Sequence, residues 1–127
     1  MTLREIAIYA AAGFGVWLSG AFSFRLGGKF LFENGPVVLA LSTVAIAGTV
    51  CFVLRSAMNW RKAPASAAVE VAVIMITPGL FGETARLLTF PWSTGLHVET
   101  AAPFAAVMIF STATLLAYAV VVARKAG

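Results

Sequence analysis

Four apolar stretches, at about 6–24, 36–54, 64–82 and 101–123, occupy most of this 127-residue chain. Each is close to the roughly 20 residues that a helix needs to cross the hydrocarbon core of a bilayer. Short apolar runs can be buried strands, but runs of this length rich in Ala, Leu, Gly and Met read as helices. A water-soluble domain would also need a polar surface, and only 11% of the residues are charged against 61% apolar. Soluble domains carry roughly 25% charged residues. The sequence therefore predicts an all-α polytopic membrane protein: one domain over 1–127, with four transmembrane helices in an up-down-up-down bundle.

Charge placement orients that bundle. Four spans put both termini on one side, with Arg4, Arg55, Arg61, Lys62, Arg124 and Lys125. The opposite side holds Arg25, Lys29 and Arg86, mixed with Glu33, Glu83 and Glu99. An excess of Lys and Arg in short loops marks the cytoplasmic face, so both termini are expected there. Tyr9, Trp60 and Tyr118 would fall near the cytoplasmic interface and Trp92 near the other. The formal charge of +4 would suggest nucleic acid in a soluble protein. Here the basic residues lie at helix ends, without a stripe of interleaved aromatics, so no nucleic-acid partner is expected and anionic lipid headgroups are the counterpart. The first span, despite Arg4 before it and Ala10–Ala12 inside it, is too long for a signal-peptide core and reads as an uncleaved helix.

Two outer connections are expected. Residues 25–35 read as a compact loop leading to Pro36, which suits the first turn of a helix. Residues 83–99 read as a longer amphipathic loop, broken at Pro91, lying in the headgroups or tucked into the bundle.

Packing signals are clearest in the first span. Ala7, Ala11, Gly15, Ser19 and Ser23 recur every four residues and form a smooth stripe on one helix face. Lipid supplies no hydrophobic drive between helices, so close packing along small residues does that work. The stripe marks a helix–helix contact, within the chain or between copies; self-association through the first helix, or assembly into a larger membrane complex, is expected. In the third span Pro78-Gly79 predicts a kink or an early helix end, because proline lacks the backbone donor and crowds the preceding turn.

Few residues carry chemistry. Glu70 precedes a long apolar run, where it is either an intramembrane carboxylate of the sort proton-linked carriers use or a headgroup-level residue at the helix start. Glu83 and Arg86, three apart, suit one helical turn, and Arg25 closes the first span on the same side. An Arg25–Glu83–Arg86 cluster would cap the outer mouth as structural glue or as a binding site. His97 is the single histidine and Cys51 the single cysteine, and the chain contains no aspartate. No metal site, bis-histidine haem or Ser–His–Asp set can be composed from them, and no cofactor is expected. Cys51 reads as a small buried hydrophobe.

The segment Trp-Leu-Ser-Gly-Ala-Phe-Ser-Phe-Arg-Leu-Gly-Gly at 17–28, the third-span ending Pro-Gly-Leu-Phe-Gly-Glu at 78–83, and Phe90-Pro91 resemble an uncharacterised family of small four-helix bacterial membrane proteins. The shared motifs are Phe-Arg-x-x-Gly at the end of the first helix and Pro-Gly-x-x-x-acid at the end of the third, where the family's usual aspartate is Glu83 here. The resemblance implies that Arg25, Pro78, Gly79 and Glu83 matter together, and it brings no activity with it. The leading expectation is a non-enzymatic membrane protein, a homo-oligomer or accessory subunit. The alternative is a small proton- or ion-linked transporter or channel using Glu70 or the Arg25/Glu83/Arg86 cluster.

Overall fold

A computed structural model describes residues 2–90 and 101–126; Pro91, Trp92, His97 and Glu99, part of the expected outer loop, lie outside them. The described residues form four helices: α1 (Leu3–Glu33), α2 (Pro36–Trp60), α3 (Ala68–Leu88) and α4 (Ala101–Ala126), with a 3-10 turn at Ala65–Ala67 before α3. All four are long and apolar enough to cross a membrane.

Their ends follow from local chemistry. Thr2 caps α1, its hydroxyl accepting from the Glu5 N–H while Glu5 accepts from the Thr2 N–H, a reciprocal capping box. At the far end α1 does not stop near Phe24. It runs on through Arg25 and the Gly27-Gly28 pair, so the expected compact loop over 25–35 shrinks to Asn34 and Gly35. A helix this long spans about 46 Å against a hydrocarbon core of about 30 Å, so it tilts or projects past the core. Near lipid every backbone group needs a partner, and continuing the helix supplies one despite the weak propensity of glycine. The stop comes where Asn34 Nδ2 donates to the Phe30 carbonyl at 2.6 Å and Gly35 adopts a φ of 92°, with Pro36 opening α2.

The α2 terminus carries a different device. Ala63 N–H donates to the Met58 carbonyl and Lys62 N–H to the Asn59 carbonyl, the paired bonds of a Schellman motif. The left-handed position of that motif, usually glycine, is taken by Lys62 at φ 56°.

α3 also outlasts its expected span. It passes through Pro78 and continues to Leu88, so the early helix end at Pro78-Gly79 does not occur, and residues 83–88 are helix rather than loop. Proline has no N–H for the Ile74 carbonyl. One residue earlier, the Thr77 hydroxyl donates to the Val73 carbonyl at 2.6 Å.

α1 packs most extensively on α3, α3 on α4, and α4 on α2, with lesser contact between α1 and α2. Two buried clusters hold the ends together. One gathers Tyr9, Leu54, Met58, Val71, Met75 and Leu115; the other centres on Phe24, Phe104 and Val107. The closest approach is at Gly13, where a Cβ would overlap the Met75 backbone. The five stripe residues are elsewhere: Ala7, Ala11, Gly15, Ser19 and Ser23 are all exposed in the single chain. α1 meets α3 instead through the face bearing Tyr9, Gly13 and Trp17.

Two stability changes should follow, both read as shifts in the thermal midpoint of the detergent-solubilised chain. Gly13→Leu should destabilise by several kcal/mol, beyond the 1–3 kcal/mol of ordinary overpacking because the obstacle is backbone, whereas Gly15→Ala, which meets nothing within 4 Å, should be neutral. Lys62→Gly should stabilise by about 1 kcal/mol by removing the left-handed strain.

Candidate functional site

Met75, Gly79, Gly82 and Arg86 follow one another three or four residues apart, and Glu83 lies four after Gly79 and three before Arg86, so all five share one face of α3. That face receives α1. The Trp17 side chain lies over Gly79, where a Cβ would sit 3.4 Å from its own, and over Gly82, where a Cβ would collide with the indole ring. The two glycines thus form a seat that any side chain would fill. Seated there, Trp17 Nε1 donates to Glu83 Oε1 at 2.7 Å. Arg86 Nη1 donates to the same oxygen at 3.0 Å.

The Arg86 side chain is 8% exposed and that of Glu83 12%. Burying such a pair is tolerable only if both ions are well partnered. Aromatic rings complete the surroundings. The Arg86 guanidinium lies 4.7 Å from the Phe104 ring centroid and 5.8 Å from that of Phe24. These two rings meet edge to face at 5.4 Å, and Phe32 and Phe90 flank them. The negative face of each ring attracts the cation, the more so where water is excluded.

Beside this node lies a cleft of about 1300 Å³, walled by all four helices. It exists because α1 leans on α3 and leaves a gap toward α2 and α4. Its walls are mainly apolar, with hydroxyls interspersed. Most of these are already engaged: Ser19 donates to Gly15, Ser23 to Ser19, Thr49 to Ala45 and Thr84 to Leu80, each to a carbonyl of its own helix. Glu83 Oε2 and Ser111 Oγ are buried and, among the described residues, have no hydrogen-bond partner. Ser111 is 6% exposed.

The structure thus brings Glu83 and Arg86 together and adds Trp17, which comes from the first helix as Arg25 was expected to. Arg25 itself is exposed on α1, two turns beyond Trp17. Glu70 lies in the first turn of α3, exposed and away from the cleft walls, at a helix start that favours a carboxylate. Of the hydroxyls beside the spans, Thr49 lines the cleft, while Thr77 faces its own backbone. Cys51 is half-buried. Among the described residues no three of His, Cys, Asp and Glu gather closely enough to hold a metal ion.

Trp17 was within reach of sequence reasoning. It lies four residues after Gly13 and eight after Tyr9, a helical face as regular as the small-residue stripe. What the sequence hides is its pairing, because Gly79 and Gly82 look like helix breakers until a large ring is seen to need the space.

Removing one member of the node should expose the others. Trp17→Phe deletes a bond to a charged acceptor and should cost about 1.5–3 kcal/mol. Arg86→Met leaves Glu83 buried without its cation and should cost about 3–5 kcal/mol. Glu83→Leu/Arg86→Met should recover part of that loss, because no uncompensated charge remains. Thermal midpoints of the purified variants test all three.

No curated protein and no solved structure matches this chain. A family does: the match covers residues 30–126, taking in α2 to α4 and the Pro78–Glu83 segment while leaving most of α1 outside. The chain is a small helical membrane protein, and it belongs to the family of unknown function DUF5367.

Proposed function

We propose that this is a non-enzymatic membrane protein that binds a neutral, long-chain amphiphile in its four-helix cleft, acting as a carrier or as a binding subunit in the bacterial inner membrane with both termini cytoplasmic. The observation that carries this reading is the cleft itself. At about 1300 Å³ it exceeds the ~300–1,000 Å³ of sites for drug-sized ligands, and it has room for a lipid-sized body.

Its polar atoms define the headgroup. Glu83 and Arg86 are the charged residues on the described walls, and they neutralise one another. A charged headgroup would enter a low-dielectric site with no counter-ion to meet it. Among the remaining polar atoms are an acceptor, Glu83 Oε2, and a hydroxyl, Ser111 Oγ. A headgroup with an O–H or amide N–H satisfies both without adding charge. This reading moves the transporter alternative away from Glu70 and onto the Glu83–Arg86 node.

A second reading is supported by a separate observation. The stripe Ala7, Ala11, Gly15, Ser19 and Ser23 is exposed in the single chain, its last three members on the cleft wall, and its small residues form a smooth surface on which another helix packs closely. Self-association through α1, or docking there of another subunit of a larger complex, would cover the cleft wall at Gly15, Ser19 and Ser23 and so compete with a bound amphiphile.

Trp17 reports on cleft occupancy. In the Trp60→Phe/Trp92→Phe protein, a brominated long-chain alcohol should quench the remaining tryptophan saturably, and Ser111→Val should weaken binding about fivefold, the worth of one ordinary hydrogen bond. Brominated fatty-acid anions and quaternary ammonium amphiphiles should quench far less. Equal quenching by all three, or none by the alcohol, rejects the proposal.

A further inference from the structure

A second, smaller pocket lies at the end of the molecule that holds the α2 and α4 C-termini. It has a volume of about 350 Å³ and lies between α2, the 3-10 turn and α4. Arg55 comes from α2, Ala65 from the turn, and Tyr118, Val121, Val122 and Lys125 from α4. The composition is divided. Val121, Val122 and Ala65 make an apolar wall, while two exposed cations and a half-buried phenol supply the polar groups. Among the described residues no carboxylate lines it.

We propose that this pocket seats the phosphate of an anionic phospholipid. Arg55 and Lys125 stand on adjacent helices, so one phosphate between them is met from two sides. The guanidinium offers a planar donor fork and the ammonium a compact charge, and Tyr118 adds a hydroxyl donor. Val121 and Val122 lie between Tyr118 and Lys125 along α4, so the polar groups adjoin an apolar wall, which suits a glyceride backbone and the start of an acyl chain better than a free, fully hydrated ion. The surrounding charge favours the same occupant. Arg61, Lys62 and Arg124 lie within the same helix ends and the turn between them. The acids near the other helix starts, Glu5 and Glu70, do not line the pocket. Basic pockets between transmembrane helices recognise anionic headgroups in this way.

The function served is anchoring. A lipid wedged between α2 and α4 at the 3-10 turn would add a further link between two helices that already pack on one another. It would fix the register of the cleft's far walls without entering the cleft. This site is independent of the amphiphile reading, and each stands or falls by itself.

The test uses the full chain in nanodiscs of zwitterionic phosphatidylcholine containing a minority of phosphatidylglycerol, followed by native mass spectrometry of retained lipid. Phosphatidylglycerol should be retained in preference to phosphatidylcholine. Arg55→Gln and Lys125→Gln should each weaken retention about fivefold and together about thirtyfold, from the energy of one surface cation apiece. Arg4→Gln, a basic residue outside the pocket, should leave retention unchanged. If the double glutamine variant fails to fold, Arg55→Lys/Lys125→Arg keeps both charges and should retain the lipid, and raising the salt concentration on the native chain should release it. Equal retention of the two lipids overturns the proposal, as does a double variant that folds and still holds phosphatidylglycerol. Inorganic phosphate displacing the lipid at millimolar concentration also overturns it, since the acyl wall would then contribute nothing.

Discussion

The α1–α3 seam is the constraint on which the other features rest. Two helices in lipid gain nothing by hiding apolar surface from one another, so they hold together through close backbone approach and buried hydrogen bonds. This seam has both. Gly13 lets α1 press against the Met75 backbone, and one turn further on the Trp17 ring fills the space left by Gly79 and Gly82. The same ring ends in an N–H that meets Glu83, so shape and polarity are satisfied by one side chain. Any change that pushes the helices apart loses the hydrogen bond as well as the packing.

From that commitment the rest of the architecture follows. Because α1 is bound to α3, it makes little contact with the other two helices, and the cleft opens between them. Arg86 lies at the junction, linked to Glu83 on its own helix and covered by Phe104 from α4 and Phe24 from α1. One cation therefore ties three helices together at a single level. An ion pair buried this deeply adds little net stability, but it fixes which arrangement of the helices is permitted, since any alternative leaves a charge without its partners. The polar atoms facing the cleft are what that arrangement leaves over. The opposite end is built differently, with apolar clustering inside and basic side chains outside.

Legibility in the sequence divides along the same line. Four spans and the helix start at Pro36 are properties of adjacent residues, and reading the chain finds them; the Thr2–Glu5 box is equally local but lies ahead of the apolar run that marks the first span. The Glu83–Arg86 spacing is also local. Trp17 as the partner of Glu83 was not legible, because the two residues are 66 positions apart and neither pattern names the other. The small-residue stripe shows the limit of periodicity as a guide. α1 presents two smooth faces, and the longer run of small residues is the one left exposed. Glu70 shows a related limit: its depth in the membrane depends on where α3 begins, and the 3-10 turn moves that start to Ala68.

What the sequence determined by itself is the solvent and the elements: an apolar chain with too few charges for water, folded as four long helices because in lipid each backbone group must find its partner locally. What only the tertiary structure decided is which faces meet. Helix contacts in a membrane are chosen by the complementary fit of a large side chain with a glycine, and by the pairing of a few buried polar atoms, both of which join residues far apart in the chain. The Trp17 seat, the caged Arg86, the cleft and the polar atoms on its wall all arise at that level.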